Sequence, residues 1–352
     1  MTRVATYGFV NAKLRARISM MLPRDWMLQM ADAHSLTEAV AKLNGTPYES
    51  ASVTYQKTGD LKLVEAELLR LERDDVLGVQ RFLAGAPAAL AEALFRRYEI
   101  ETLKNALRVW FARTVAGRPS DDVVAYLDHD TTRSGFSVDA IVNAPDMDSL
   151  LLALSGTPYG AIAAAELPEV AQRESLFRLE LALDRRHYAE LRVAIEALDA
   201  QDSAVAKRLL GIHIDLLNLL WVVRVKEFYQ LPEQEVLGSL LSGGAAFNER
   251  VIESIYRSDA PLESIVGVLS DRYTGAETLA GESDDIRRLA LLAAMLQEVL
   301  MHEIHRVMGG YPFNVGIVVA YVLLRQNEVR MITTVLNARH YGIAPDAVGS
   351  ML

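Results

Sequence analysis

Apolar residues recur at helical spacing along almost the whole chain. Leu61, Val64, Leu68 and Leu71 step by 3, 4 and 3, which lines one face of an amphipathic helix. Ile286, Leu289, Ala293, Leu296, Leu300, Ile304 and Val307 hold the same rhythm for about six turns. The segment from Ser175 to Leu198 predicts another long helix. Leu217, Leu220 and Trp221 stand at i, i+3 and i+4 and are expected to share one core-facing stripe. No stretch alternates strictly enough to demand a strand. The pattern predicts an all-α protein.

The helices come in an order that repeats. Leu43-Asn44-Gly45-Thr46-Pro47-Tyr48 recurs as Leu154-Ser155-Gly156-Thr157-Pro158-Tyr159, with a worn third copy in Leu269-Ser270-Asp271-Arg272-Tyr273. Each follows a short helical run: Leu36 to Leu43, Met147 to Leu154, Leu262 to Leu269. After each comes an acidic residue that reads as the opening of an apolar helix: Glu101 to Trp110, Asp215 to Val225, Glu328 to Leu336. From Leu43 to Glu101, Leu154 to Asp215 and Leu269 to Glu328 the offsets are 58, 61 and 59 residues. Two markers that keep step indicate three copies of one unit.

Breaks fall where such a unit needs them. Gly117-Arg118-Pro119-Ser120 and Leu231-Pro232-Glu233-Gln234 interrupt the helical pattern, because proline cannot continue a helix. They divide the chain into modules 1–119, 120–232 and 233–352. The Gly-Thr-Pro-Tyr copies read as helix stops, with glycine in the left-handed conformation. Gly281-Glu282-Ser283-Asp284-Asp285 reads as a loop ending in N-cap chemistry for the helix from Ile286.

Composition narrows the function. Hydrophobic content of 51% supplies buried cores, and the net charge is −10. An acidic chain is a poor general partner for nucleic acid, which is held by clustered Lys and Arg. The absence of cysteine excludes disulfides, cysteine-based zinc sites and a thiol nucleophile. The first 24 residues carry Arg3, Lys13, Arg15, Arg17 and Arg24 and no acid. Such a start mimics an organelle transit peptide, but an ordinary basic first helix is the preferred reading. The uncharged run between Arg306 and Arg325 approaches the length of a membrane span. Gly309, Gly310, Pro312, Asn314 and Gly316 interrupt it, so no transmembrane segment is expected.

Catalytic chemistry is hard to find. Neither the G-x-x-x-x-G-K-[ST] nor the G-x-G-x-x-G phosphate loop occurs. His302-Glu303-Ile304-His305 spaces its histidines three apart, whereas a zinc protease places them four apart. No paired Glu-x-x-His set for a di-iron bundle is present. The three acidic helix heads are spread one per module, which suits a structural role rather than paired acid–base work. No metal, cofactor or small-molecule ligand is expected.

Four passages resemble one family, the C subunits of the archaeal and bacterial A/V-type ATPases, which are counterparts of the vacuolar ATPase d subunit. They are Tyr7-Gly8-Phe9-Val10-Asn11-Ala12-Lys13-Leu14-Arg15-Ala16-Arg17; Glu180-Leu181-Ala182-Leu183-Asp184 with Tyr188; the helix from Asp215 to Arg224 with Asn218; and Tyr311-Pro312-Phe313, Ala320-Tyr321 and Asn327-Glu328-Val329-Arg330. The signature residues are thus Tyr7, Asn11, Arg15, Asp184, Tyr188, Asp215, Asn218, Pro312, Tyr321, Glu328 and Arg330. The resemblance implies a structural role for them. It implies a funnel of three similar helical subdomains in pseudo-three-fold arrangement, acting as a non-catalytic part of a central rotor. Such a protein would lie peripherally on the cytoplasmic face of the membrane. There it would link the D and F subunits of the shaft to the proteolipid ring and transmit torque for coupled ATP synthesis or hydrolysis and ion transport. A helical-repeat scaffold for protein–protein interaction is the alternative, but solenoid repeats run about 34 to 47 residues, far shorter than this unit. A helical-bundle enzyme ranks third.

Overall fold

The chain was analysed as a computed structural model that describes residues 2–118, 126–129, 133–225, 232–245, 249–270 and 285–349, with Val124 and Phe247. Among the described residues there is no strand. Six helices fill the first part: α1 (Arg3–Ile18), α2 (Arg24–Ala31), α3 (Leu36–Ala41), α4 (Glu49–Thr58), α5 (Leu61–Gln80) and α6 (Gly85–Thr114). Five follow: α7 (Val138–Val142), α8 (Met147–Leu154), α9 (Gly160–Arg173), α10 (Phe177–Glu196) and α11 (Ala200–Arg224). The last are α12 (Glu233–Gly238), α13 (Glu249–Arg257), α14 (Pro261–Ser270), α15 (Asp285–Gly309), α16 (Gly316–His340) and α17 (Pro345–Gly349).

The predicted short helices are present as α3, α8 and α14, and the predicted long ones as α5, α10 and α15. Polar caps set several starts. Thr2, Ser137, Asp146 and Asp199 each accept a backbone N–H from the first turn of α1, α7, α8 and α11, which satisfies donors that have no partner inside the helix. The two clear Gly-Thr-Pro-Tyr copies share one local geometry. Gly45 and Gly156 have φ of +72° and +76°, a region glycine enters without steric cost. Thr46 and Thr157 accept the N–H of Tyr48 and Tyr159 at 3.1 and 3.2 Å. Both tyrosines are then fully buried. Of the worn third copy, Leu269 and Ser270 close α14, while Asp271, Arg272 and Tyr273 lie outside the described residues. Of the predicted loop 281–285, residues 281–284 lie outside them too, whereas Asp285 is already the first residue of α15; the side chains of Ile286 and Leu289 also lie outside them.

The helices form two compact units. One comprises residues 45–80 and 89–194. Its core joins Leu103, Leu107 and Trp110 of α6 to Phe136, Ile141, Leu150, Leu154, Tyr159, Leu167, Leu179 and Leu183. The Trp110 indole N–H is satisfied at 3.0 Å by the Ala144 carbonyl, as a buried indole requires.

The other unit comprises residues 1–44, 81–88 and 195–352. Helix α16 lies at its centre, buried around nearly its whole circumference and touching α1, α2, α3, α11, α15 and α17. A largely apolar helix belongs in such a place, and its buried Arg325, Asn327 and Glu328 are hydrogen-bonded. A second cluster joins Leu219, Val222 and Val223 of α11 to Val236, Ile252, Ile255, Ile265, Leu292 and Leu296. The stripe of α11 is therefore shifted from the expected one. Leu216, Leu219, Val222 and Val223 are buried, and Leu217, Leu220 and Trp221 pack half-buried at the margin of the cluster. The uncharged run after Arg306 is divided between two helices, because α15 ends at Gly309 and α16 starts at Gly316. No helix among the described residues is long and apolar enough to cross a membrane.

Candidate functional site: buried carboxylates that hold loops

Among the acids buried inside the long helices, three hold distant segments in a similar way: Glu99 in α6, Asp215 in α11 and Glu328 in α16. The sequence pattern places acids at helix starts. Instead, Glu101, Asp215 and Glu328 all stand at least about three turns inside α6, α11 and α16, beyond the reach of the N-terminal dipole. In the first helix the buried acid is Glu99, at 1% exposure. Glu101 stands half-exposed beside Lys104.

Burying a carboxylate is costly unless hydrogen bonds replace its water. Each of the three acids obtains them from a loop. Glu99 accepts the Ser134 N–H and hydroxyl, and the Tyr159 hydroxyl at 3.1 Å. Asp215 accepts the N–H groups of Ala245 and Phe247 at 3.0 and 3.3 Å. Glu328 accepts the Leu22 N–H at 2.7 Å and a guanidinium N–H of Arg325 at 2.9 Å. In every case a backbone N–H donor lies just ahead of a set of short helices, opening at α7, α13 and α2 respectively, while Tyr159 and Arg325 add side-chain donors from elsewhere. Charge-assisted bonds of this kind contribute about 1.5–3 kcal/mol each. They lock the position of a chain segment that would otherwise carry unpaired N–H groups.

Asn218, one turn after Asp215, completes the second clasp. Its amide gives to the Leu241 carbonyl at 2.8 Å and accepts the Leu241 N–H at 2.9 Å, the paired geometry of a peptide group. Gly244 sits between the two contacts. A β-carbon there would lie 2.0 Å from Asp215 Oδ1, so the loop approaches the carboxylate only because residue 244 is glycine.

Asp202 forms a fourth clasp. It is 2% exposed and gathers the Tyr7 hydroxyl at 2.5 Å, Arg3 at 2.9 Å and the Val315 N–H at 3.1 Å. It thereby joins α1, the start of α11 and the segment leading into α16. Burial, then the Asp202 carboxylate, push the Tyr7 hydroxyl well above the usual tyrosine range. Burial and Glu99 do the same for Tyr159.

The remaining signature residues also have structural partners. Asn11 accepts from Arg15 at 3.1 Å, and Arg15 donates to the Met308 carbonyl. Tyr321 is buried, with the Arg17 guanidinium 5.9 Å from its ring centroid. Pro312 is half-buried between Tyr311 and Phe313, whose rings meet edge to face. Arg330 donates to Asn327 at 2.8 Å. Asp184 pairs with Lys104 at 2.6 Å. Burial works against that ammonium, but Glu101 and Asp184 outweigh it and hold its pKa above the ordinary lysine range. Tyr188, beside them, is pushed by burial up to about 12.

The eleven residues therefore form several clasps, not one cleft. Sequence reasoning missed Glu99 and Asp202. Glu99 and Glu101 share the string Glu-Ile-Glu, and only the distant Ser134 distinguishes them. Asp202 reads as an ordinary first-turn acid. No cluster of three or more possible metal ligands occurs among the described residues. His302 and His305 are exposed, and Glu303 pairs with Arg208 at 2.6 Å and Arg306 at 3.1 Å.

The chain matches the model of the ATP synthase (C/AC39) subunit family over residues 10–351. It is 20% identical over 348 residues to the C subunit of the A-type ATP synthase of Pyrococcus abyssi, covering 98% of this chain and 90% of the relative. The corresponding protein of Pyrococcus furiosus is 19% identical, with 97% and 89% covered. That of Methanocaldococcus jannaschii is 19% identical, with 99% and 86% covered. The expectation of an accessory protein rather than an enzyme agrees with these relatives. Helical among its described residues and matched over residues 10–351, the chain belongs to the ATP synthase (C/AC39) subunit family.

Proposed function

We propose that this chain is a socket in the central rotor of an A/V-type ATPase. It sits peripherally on the cytoplasmic face of the membrane, on the proteolipid ring, and receives the tip of the shaft formed by the D and F subunits. It catalyses nothing; it transmits torque between ATP chemistry and ion movement. In this reading the modules 1–119, 120–232 and 233–352 form a funnel with pseudo-three-fold symmetry.

One observation carries the reading beyond family membership. Glu99 holds the segment that opens the second set of short helices, Asp215 the segment that opens the third, and Glu328 the segment that opens the first. The last clasp returns to the beginning of the chain, which is what a closed cycle of three modules requires. Torque transfer needs stiffness, and dense helix packing resists compression. A buried carboxylate at each junction adds directional bonds that a purely apolar contact lacks.

The test is reconstitution. Membranes that hold the ring and are stripped of this protein should rebind the purified chain, and rebinding should restore coupling between ATP hydrolysis and ion transport. The chain should also co-elute with purified D and F. Intact coupling in its absence would sink the socket role.

A further inference from the structure

Helix α1 has one face turned inward and one left open. Tyr7, Val10 and Leu14 are buried. The opposite face exposes Ala5, Phe9, Ala12 and Ala16, with Met20 just past the helix end. Phe9 is 67% and Met20 59% exposed, two of the eight large apolar side chains left exposed among the described residues. Among the described residues the ring that meets Phe9 is Phe82, edge to face at 5.2 Å.

Spacing and charge say what covers this face. Ala5, Phe9, Ala12 and Ala16 follow one another at steps of 4, 3 and 4, the spacing of a coiled-coil seam. Alanine at three of the four positions lets a second helix come to the short end of the usual interaxial distance of about 8–10 Å. Phe9 stands between them as a single knob. Lys13 and Arg15 are exposed on the two edges of the seam, Arg15 also giving N–H groups to Asn11 and the Met308 carbonyl, and no acid occurs in the first 24 residues of a chain that carries −10 overall. A bilayer-facing helix needs a broad bulky face, and this one is narrow and mostly alanine.

We propose that the outer face of α1 docks a single helix of another protein of the complex, with an apolar seam flanked by Asp or Glu on both sides. The proposal rests on the chain's place in the ATP synthase complex. The acids of the partner meet Lys13 and Arg15, while its large apolar residues fill the alanine positions around Phe9.

Reconstituted complexes test it. Phe9→Glu and Ala12→Glu place a negative charge in the seam at exposed positions, so far-UV circular dichroism and Tm should hold close to the parent. Rebinding of either variant to complexes lacking this chain should weaken at least about tenfold, and Lys13→Glu should weaken it further at low salt. A benzophenone side chain at position 9 should cross-link, in the assembled complex, to a helical segment with acids three or four residues from the adduct. Full-strength rebinding of both variants, with the parent chain also rebinding and restoring coupling, overturns the docking face and leaves the socket role standing. If the parent chain fails to rebind, the socket role falls and this inference falls with it. Phe9-dependent binding of the free chain to vesicles of phosphatidylcholine with about 30% phosphatidylglycerol, or a cross-link to lipid, assigns the face to the bilayer and overturns the helix partner.

Discussion

Asp215 shows what one buried carboxylate does for the fold. It satisfies two loop N–H groups at once, and leaving a buried donor without an acceptor costs about 1–3 kcal/mol. Asp215→Ala orphans both and should destabilise the chain by roughly 3–5 kcal/mol. Asp215→Asn keeps one acceptor and should cost about half as much. Midpoints of urea unfolding measure both, and equal effects would show that charge, not the pair of bonds, dominates. The buried tyrosines set a second residue-scale behaviour. Tyr7, Tyr159 and Tyr188 all have raised pKa values, chiefly through burial. In the unfolded chain they ionise near 10. Above that pH the unfolded state releases protons that the folded state retains, so stability is present below about pH 10 and falls as pH rises. Each such group contributes a slope of about 1.4 kcal/mol per pH unit until its folded pKa is reached. Tyr7→Phe should reduce the alkaline slope by that amount, measured as unfolding free energy between pH 9 and 11.5. A slope unchanged by Tyr7→Phe would mean the hydroxyl ionises freely in the fold.

At the scale of elements, the loop from Leu241 to Ala245 depends on close approach. A β-carbon on residue 244 meets Asp215 directly, so Gly244→Ala should dislodge the loop and cost a few kcal/mol. Because both changes break the same contact, the double variant with Asp215→Ala should fall short of the sum by about 0.5–3 kcal/mol. Strict additivity would separate the glycine from the clasp. Trp110 is fully buried and Trp221 is at the margin of its cluster, its indole N–H bonded to Ser239. Trp110→Ala should therefore cost about 3–5 kcal/mol, and Trp221→Ala less, about 2, in thermal or urea melts.

These elements also mark how far the sequence could be read. The Gly-Thr-Pro-Tyr turns were legible because a left-handed glycine, a threonine acceptor and a helix stop are local chemistry. The short helices before them were legible for the same reason. The acids at Glu101, Asp215 and Glu328 were seen as markers but misplaced as helix starts. The apolar run that follows each one looks like a fresh helix, while breaks in the apolar rhythm before it, at Arg96 and Arg97, at Gly211 and His213, and at Gln326 and Asn327, hide an unbroken one. What satisfies those acids lies about 30 residues away along the chain for Asp215. For Glu328 it lies at the opposite end of the sequence. No periodicity carries that information. The shift of the α11 stripe from Leu217 to Leu216 has the same origin, since several apolar residues in a row leave the buried face to be chosen by tertiary packing.

The whole molecule adds a field to these contacts. With a net charge of −10 and a pI near 5.3, the chain repels acidic partners over distances comparable to the Debye length, about 10 Å at 0.1 M salt. It attracts basic ones. The proposed socket therefore favours a shaft tip rich in Lys or Arg, with the acid-free α1 as a local region of opposite sign. Steering of this kind acts on encounter more than on the final contact. Association of the chain with purified D and F, followed by stopped flow, should slow at least about tenfold as salt rises from about 0.05 to 0.5 M. The dissociation rate should change far less. Lys13→Glu raises the net negative charge without touching a buried residue, so it should leave this steering intact or strengthen it while weakening whatever α1 contacts. An association rate that ignores salt would mean that the acidic surface does not face the shaft, and that the socket is joined by its apolar contacts alone.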